Sequence, residues 1–287
     1  MTHRWLITGA AGMVGTDLRN ALASRDEEVI ALDRSTLDIT DAGAVSDAVA
    51  AAKPTIVINC AAYTKVDDAE ANENIANAIN GSAVEFLARA TNDVDATLVH
   101  VSTDFVFDGA SRTPYEVNAP TAPLSAYGRS KLLGEQAATH AEKHAIVRTA
   151  WLFGIHGNNF VEAIRNQVRK GTNPLRVVHD QRGRPTYTPH LADALIRIGR
   201  LAAESDAGRG IFHYADEDEC TWFDFAAAIV QEVGAETHVE PVTSDQFPRP
   251  AKRPAYSVLS TERYERLTGV RPESWREGLR EYLQQRA

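Results

Sequence analysis

Tyr127 and Lys131 stand four positions apart in Tyr127-Gly-Arg-Ser-Lys131, and a hydroxyl-bearing run, Ser102-Thr103-Asp104, precedes them. Residues four apart on a helix share a face, so the phenol and the ammonium would point the same way. A free tyrosine, with a pKa of about 10, is a poor acid–base catalyst near neutrality. A lysine ammonium beside it would favour the phenolate and lower that pKa, which suits proton exchange with a reacting oxygen. Thr103 and its neighbours would end a strand and present hydroxyls to the same place.

A second set of residues lies near the N-terminus. Gly9-Ala-Ala-Gly12-Met13-Val14-Gly15 falls between an apolar run, Trp5–Thr8, and an amphipathic stretch from Val14 to Ser24. Glycine at a strand-to-helix turn lets the backbone approach a pyrophosphate, and the helix start offers N–H donors and a positive dipole. The GxxGxxG spacing is one residue longer at its start than the GxGxxG pattern. Gly9, Gly12, Met13, Val14 and Gly15 are therefore candidates to hold a dinucleotide. Asp33 ends the next predicted strand, where an acid receives ribose hydroxyls, while Arg34 beside it could meet a 2′-phosphate instead. Both alternatives stay open, so NADH and NADPH are both expected cofactors. Asp38-Ile39 and Ala61-Ala62-Tyr63-Thr64 also sit at the carboxyl ends of predicted elements, where open α/β sheets bind ligands.

The elements that would position these groups alternate strand and helix. Apolar runs at Glu28–Asp33, Thr55–Asn59, Ala96–Ser102 and His144–Ala150 read as strands. Asp41–Ala52, Ala69–Ala90 and Ser125–Ala141 read as helices, the second of them long. Repeated β-α units with apolar strands imply an α/β fold with a doubly wound parallel (Rossmann) sheet. After Trp151 the pattern loosens into helices at Asn159–Lys170, His190–Ala203, Thr221–Val233 and Pro272–Gln285, with strand-like runs at Leu175–Val178 and Gly210–Tyr214. A proline-rich loop, Phe247–Pro254, separates the last two helices. The expected organisation is an NAD(P)-binding domain over 1–150, rejoined by 177–203, with 151–287 mainly a smaller α/β substrate-binding part.

Composition excludes several classes of function. The 287 residues carry a net charge of −9, whereas a nucleic-acid-binding surface needs a basic face. Cys60 and Cys220 lie in no CxxC or His-rich setting, so neither a disulfide framework nor a zinc site is expected. No apolar stretch approaches the ~18 residues of a membrane span. The N-terminus enters its first strand at once, leaving no room for a signal peptide, so a cytoplasmic protein is expected.

Longer strings carry a resemblance. Pro123-Leu-Ser-Ala-Tyr-Gly-Arg-Ser-Lys-Leu-Leu-Gly-Glu135, with Gly9–Gly15, resembles the extended short-chain dehydrogenases. Asn59–Asp67, Ser102–Gly109, Arg148–Gly154 with Gly157–Phe160, Asp180–Thr186 and Arg253–Leu259 resemble the dTDP-4-dehydrorhamnose reductase family along nearly the whole chain. That resemblance implies NAD(P)H-dependent reduction of the C4 keto group of a dTDP-sugar, giving dTDP-L-rhamnose. It implies that Tyr127 donates the proton, that Lys131 partners it and binds ribose, and that Thr103 hydrogen-bonds the reacting oxygen. Val66, Thr103, Asp104, Tyr127, Trp151, Asn159 and Arg253 would line the sugar. Gly12, Met13, Val14, Asp33, Asp38, Ile39 and Ala62–Thr64 would hold the dinucleotide. Some members bind Mg2+ between subunits through acidic side chains. Here Asp17 stands at one expected place and His190 near another, so no metal ligand is assigned and a homodimer stays open.

Other residues read differently. His100, inside an apolar strand, reads as a core histidine, and Trp222, Phe223 and Phe225 as core aromatics. Arg249 and Lys252 could grip a diphosphate or simply be solvated. Another nucleotide-linked keto sugar, or a regulatory role resembling the non-catalytic subunit of methionine adenosyltransferase, are the alternatives. The intact set Thr103, Tyr127 and Lys131 argues for turnover.

Overall fold

Six parallel strands form the central sheet of the computed structural model, which describes residues 3–286. Met1, Thr2 and Ala287, the ends of the two expected parts, lie outside the described residues. The chain runs β1 (Arg4–Thr8), α1 (Met13–Ala23), β2 (Glu28–Leu32), α2 (Ala42–Ala52) and β3 (Ile56–Asn59). After a short turn of helix, α3 (Val66–Ala69), come α4 (Glu73–Asn77), a π-turn (Ala78–Ser82) and α5 (Ala83–Asp93). Then follow β4 (Thr97–Thr103), α6 (Ala126–Ala138) and β5 (His144–Thr149). The expected doubly wound sheet is present, in the order β10 (Gly210–His213), β5, β4, β3, β1, β2. That order reverses between β1 and β3, where a doubly wound sheet opens its ligand crevice.

Hydrophobic layers cover both faces. Leu18 and Leu22 of α1 pack with Leu191, Leu195 and Ile198 on one side of Ile7, Ile58 and Val147. Val45, Val84, Leu87 and Ala138 cover Leu6, Val57 and Leu98 on the other. Strands buried on both faces need such unbroken apolar runs, which is why their sequence pattern is continuous rather than alternating.

The remaining elements are β6 (Leu152–Phe153), α7 (Phe160–Arg169), β7 (Leu175–Val178), β8 (Arg182–Gly183), β9 (Thr186–Tyr187), α8 (Thr188–Glu204) and β10 (Gly210–His213). They continue through β11 (Cys220–Thr221), α9 (Trp222–Glu232), β12 (Val239–Val242), α10 (Glu262–Thr268) and α11 (Trp275–Gln285). α8 packs on α1 and β10 pairs with β5, while β7 pairs with β12 away from the main sheet. The stretch that joins the sheet therefore spans 188–213. A separate core of Phe153, Val161, Ile164, Phe225, Ile229, Trp275 and Tyr282 holds the second part together.

The long helix expected over Ala69–Ala90 is broken. Asn72 turns its side-chain amide back onto the carbonyl of Asp68 at 3.0 Å, and the chain restarts at Glu73. Asparagine competes for backbone groups in this way and favours helix ends. The π-turn that follows lets Asn80, fully buried, reach across to the neighbouring strand end and to α6.

Candidate active site

Two cavities of about 710 and 720 Å³ meet along the carboxyl edge of the sheet, sharing Ala11, Gly12, Cys60 and Ala62 as walls. The glycine turn forms their common floor. Gly9 takes φ +67°, and a Cβ there would lie 2.6 Å from the Ala61 nitrogen; a Cβ at Gly15 would lie 2.3 Å from the Gly9 oxygen. No side chain caps α1 and no acid sits in its first turn, so its leading N–H groups stay open to an anion. A dinucleotide pyrophosphate fits that cradle.

Gly9, Gly12, Asp33, Arg34, Asp38, Ile39 and Ala62 line the first cavity. Asp33 Oδ1 accepts from the backbone and hydroxyl of Ser35, at 2.8 and 2.6 Å, and these bonds hold its pKa below the ordinary carboxylate value. Asp38 is held low by Thr40 in the same manner. Across from them stand Asn74, Ile75, Ala78 and Ile79 of α4 and the π-turn. Nothing in their sequence marks them, because three of the four are apolar and Asn74 belongs to no motif.

Met13, Val14, Gly15, Thr64, Val66, Thr103, Asp104, Tyr127, Lys131 and Trp151 line the second cavity. The start of α6 places the phenol and the amine. Ser125 caps the helix by accepting from Gly128 N at 3.1 Å. Two glycines then let α6 press on its neighbours: a Cβ at Gly128 would sit 2.3 Å from Phe105 O, and one at Gly134 2.0 Å from Asn80 O. Asn80 Nδ2 also donates to Ser130 Oγ at 2.9 Å, fixing the helix beside the π-turn. Lys131, 2% exposed, donates from Nζ to Val101 O at 2.7 Å.

The expected lowering of the tyrosine pKa does not hold. Burial pushes the Tyr127 phenol up to about 12, opposed by a Thr103 hydrogen bond and helped by the nearby Asp104 carboxylate. Burial also pushes the Lys131 ammonium down to about 8. Desolvation is the largest cause of both shifts, and neither group figures among the causes of the other's. Thr103 Oγ1 donates to Asp104 Oδ1 at 3.0 Å, and burial raises Asp104 to about 6. Asp104 Oδ2 makes no hydrogen bond of ordinary geometry, although the nearby Ser257 hydroxyl pulls the carboxyl pKa down against burial.

Trp151 has φ +48°, a disfavoured conformation for a bulky residue. Its indole stacks on Trp222 with centroids 3.6 Å apart and planes 8° from parallel. It therefore lines the cavity while leaning on the core of the second part. Trp222, expected simply as core, is what holds it there.

Three candidates lie elsewhere. Asn159 caps α7, accepting from Glu162 N at 3.2 Å and donating to Gly154 O at 2.7 Å, while its neighbour Asn158 lines the cavity. The Tyr63 backbone donates to Asn80 Oδ1 and accepts from Asn80 Nδ2, and its ring packs against Ala69, Ala76 and Ala126. Arg253 forks onto both oxygens of Asp67 at 3.0 Å and borders a third hollow with Arg249 and Lys252. Asp17 accepts from Thr188 Oγ1 at 2.6 Å, and His190 bonds Asp216 at 3.0 Å. His190, Glu273 and Glu281 bring potential ligand atoms within 4.8 Å of one another, without Asp17. Cys60, Lys65, Leu152 and His156 line the second cavity without having been singled out. Cys60 and Lys65 fall within Asn59–Asp67 and Leu152 within Arg148–Gly154, strings that carry the family resemblance, whereas His156 falls in none. No described helix is long and apolar enough to cross a membrane.

The model of the RmlD substrate binding domain matches residues 3–287. A dTDP-4-dehydrorhamnose reductase of Streptomyces griseus is 43% identical over 97% of this chain and 92% of its own. A dTDP-4-keto-6-deoxy-D-glucose reductase of Streptomyces niveus is 43% identical over 95% of this chain and 93% of its own. A solved dTDP-4-dehydrorhamnose reductase of Bacillus anthracis, in complex with NADP, superposes with a TM-score of 0.93 at 36% identity, covering 99% of this chain and 100% of that one.

Proposed function

This chain belongs to the dTDP-4-dehydrorhamnose reductase family, and from that premise we propose that it reduces the C4 keto group of dTDP-4-dehydrorhamnose to give dTDP-L-rhamnose. One observation carries the reading: the uncapped glycine turn and the set Thr103, Tyr127 and Lys131 open into one continuous groove. NAD(P)H, held by the glycine turn and by Asp33 or Arg34, supplies the hydride when bound.

The chain's own residues do the rest. Tyr127, held protonated by burial, donates its proton to the oxygen on C4 as that oxygen gains charge. Thr103 steadies the same oxygen by a hydrogen bond once its single O–H rotates away from Asp104 Oδ1. Asp104 offers its free carboxylate oxygen to a sugar hydroxyl. Trp151 supplies a broad apolar face against the ring. Cys60 and Cys220 are free thiols, which supports a reducing, cytoplasmic setting.

The test is to incubate the protein with the dTDP-keto sugar formed by the preceding enzymes, following NADPH loss and identifying the product. dTDP-L-rhamnose is expected, with turnover lowered roughly 10²–10⁴-fold in Tyr127→Phe while NADPH still binds. A different deoxysugar would move the assignment to another 4-keto substrate, a reading favoured by the similarity to the Streptomyces niveus enzyme. NADPH binding without any sugar reduction would end the reductase reading.

A further inference from the structure

His100 lies fully buried in β4, between Asn59 of β3 and Lys131 of α6. α6 comes close enough only because residue 134 is glycine; a Cβ there would stand 3.1 Å from His100 Nε2. The hydrogen bonds around this ring leave it one arrangement. Ala61 N donates to Asn59 Oδ1 at 3.1 Å, and Thr8 Oγ1 donates to the same oxygen at 2.7 Å. A backbone N–H is only ever a donor, so the orientation of the Asn59 amide is fixed. Its Nδ2 therefore faces His100 Nδ1, 3.1 Å away. Nδ1 must accept, and a neutral ring must then carry its proton on Nε2. Burial and the adjacent Lys131 hold the His100 pKa well below its ordinary value, so the ring is neutral.

The Nε2–H points at Lys131 Nζ, 3.4 Å away. An ammonium has three donors and no lone pair, so it cannot accept from this N–H, whereas a neutral amine can. We propose that Asn59 and His100 are positioning residues that hold an N–H donor against Lys131, so that Lys131 gives up a proton to Tyr127 in each catalytic cycle. When Tyr127 has protonated the sugar oxygen, an O–H bond must re-form on its phenolate. An N–H bond of Lys131 breaks to supply it, through whatever hydroxyl bridges the two, and the amine left behind accepts from His100 Nε2–H. Solvent then returns a proton to Nζ. The other titratable or charged groups around Lys131 are Cys60 at the end of β3, and Tyr127 and Glu135 on its own helix. Arg148 of β5 stands behind Glu135, bonded to it at 2.7 and 2.9 Å. Glu135 and Cys60 both oppose loss of the lysine proton, and burial overrides them.

This deepens the reductase reading and rests on it for its catalytic consequence, while the hydrogen-bond arrangement is testable without turnover. Nitrogen-15 NMR of the wild-type protein, which has nine histidines, reports the tautomer of His100 directly. The Nε2–H form is expected throughout pH 6–9, and an Nδ1–H form or an imidazolium would overturn the proposal. Lys131, one of six lysines, is then titrated in the wild type, His100→Leu and Asn59→Ala. The first variant removes the N–H. The second releases the tautomer, so that His100 can accept from the ammonium. Each should raise the Lys131 midpoint by about one pH unit, the worth of one hydrogen bond to the neutral form. The alkaline limb of kcat should move with it. A lowered Tm with the Lys131 midpoint and that limb unmoved would make the pair merely structural. Failure to reduce any sugar, with the tautomer as expected, counts against the reductase reading alone.

Discussion

A single buried carboxylate, Asp104, sets the most direct dependence on pH. Burial lifts it from an ordinary 3.8 to about 6, against the pull of the Ser257 and Thr103 hydroxyls. Below about pH 6 the group gains a proton and loses its value as a charged acceptor for a sugar hydroxyl, so kcat/KM should fall there. Asp104→Asn should show a lower plateau without that acid limb; a limb unchanged in this variant would remove Asp104 from substrate binding. Stability follows the opposite sense. The folded state binds the proton more tightly than the unfolded one, so this contribution is complete below 3.8 and is lost as pH rises through about 6. At this scale the sequence was informative about identity and silent about electrostatics. The spacing Tyr127-x-x-x-Lys131 fixes a shared helical face. The direction of both pKa shifts depends on burial by strands distant in sequence, and so does the donor that His100 presents, although the residue reads as ordinary core.

Elements explain which candidates fell outside the groove. Asn159 belongs to a string resembling the family's, yet its side chain caps α7 and bonds back to Gly154. A string marks a neighbourhood and cannot say which of its side chains turns inward. Asn159→Ala should therefore cost about 1 kcal/mol, the usual worth of an N-cap, and lower the Tm with KM for the sugar nucleotide unchanged. A raised KM at unaltered stability would restore the substrate contact. The break at Asn72 has a similar origin. Helical periodicity over Ala69–Ala90 is real, but it does not register an amide that prefers the carbonyl of Asp68. The strands of the central sheet, by contrast, are legible almost to the residue because burial on both faces leaves so few alternatives to a continuous apolar run, whereas the short pairs β6, β8, β9, β11 and β12 carry no such run.

Across the whole molecule, the two parts meet over the second cavity, and the Arg253–Asp67 pair is where their connection is most exposed to test. Arg253 lies near the end of the proline-rich loop Phe247–Pro254, whereas Asp67 lies in α3, next to Val66 on the cavity wall. The fork of two 3.0 Å bonds is joined by Ala251 N, which donates to Asp67 Oδ1 at 3.3 Å. Arg253 bonding is the main reason the Asp67 pKa lies below the ordinary value. With side chains 25% and 28% exposed, the pair contributes about 1 kcal/mol at most. Its effect should be on closure over the sugar nucleotide rather than on the fold. Arg253→Ala and Asp67→Asn should each raise KM by up to about fivefold, with NADPH affinity unchanged. The double variant should be no worse than the worse single one, since either change already frees the loop. If Arg253 instead grips the substrate itself, Asp67→Asn will leave KM where it was, or lower it by releasing the guanidinium. Steady-state kinetics on the three variants decides between a clasp that joins the two parts and a side chain that touches sugar.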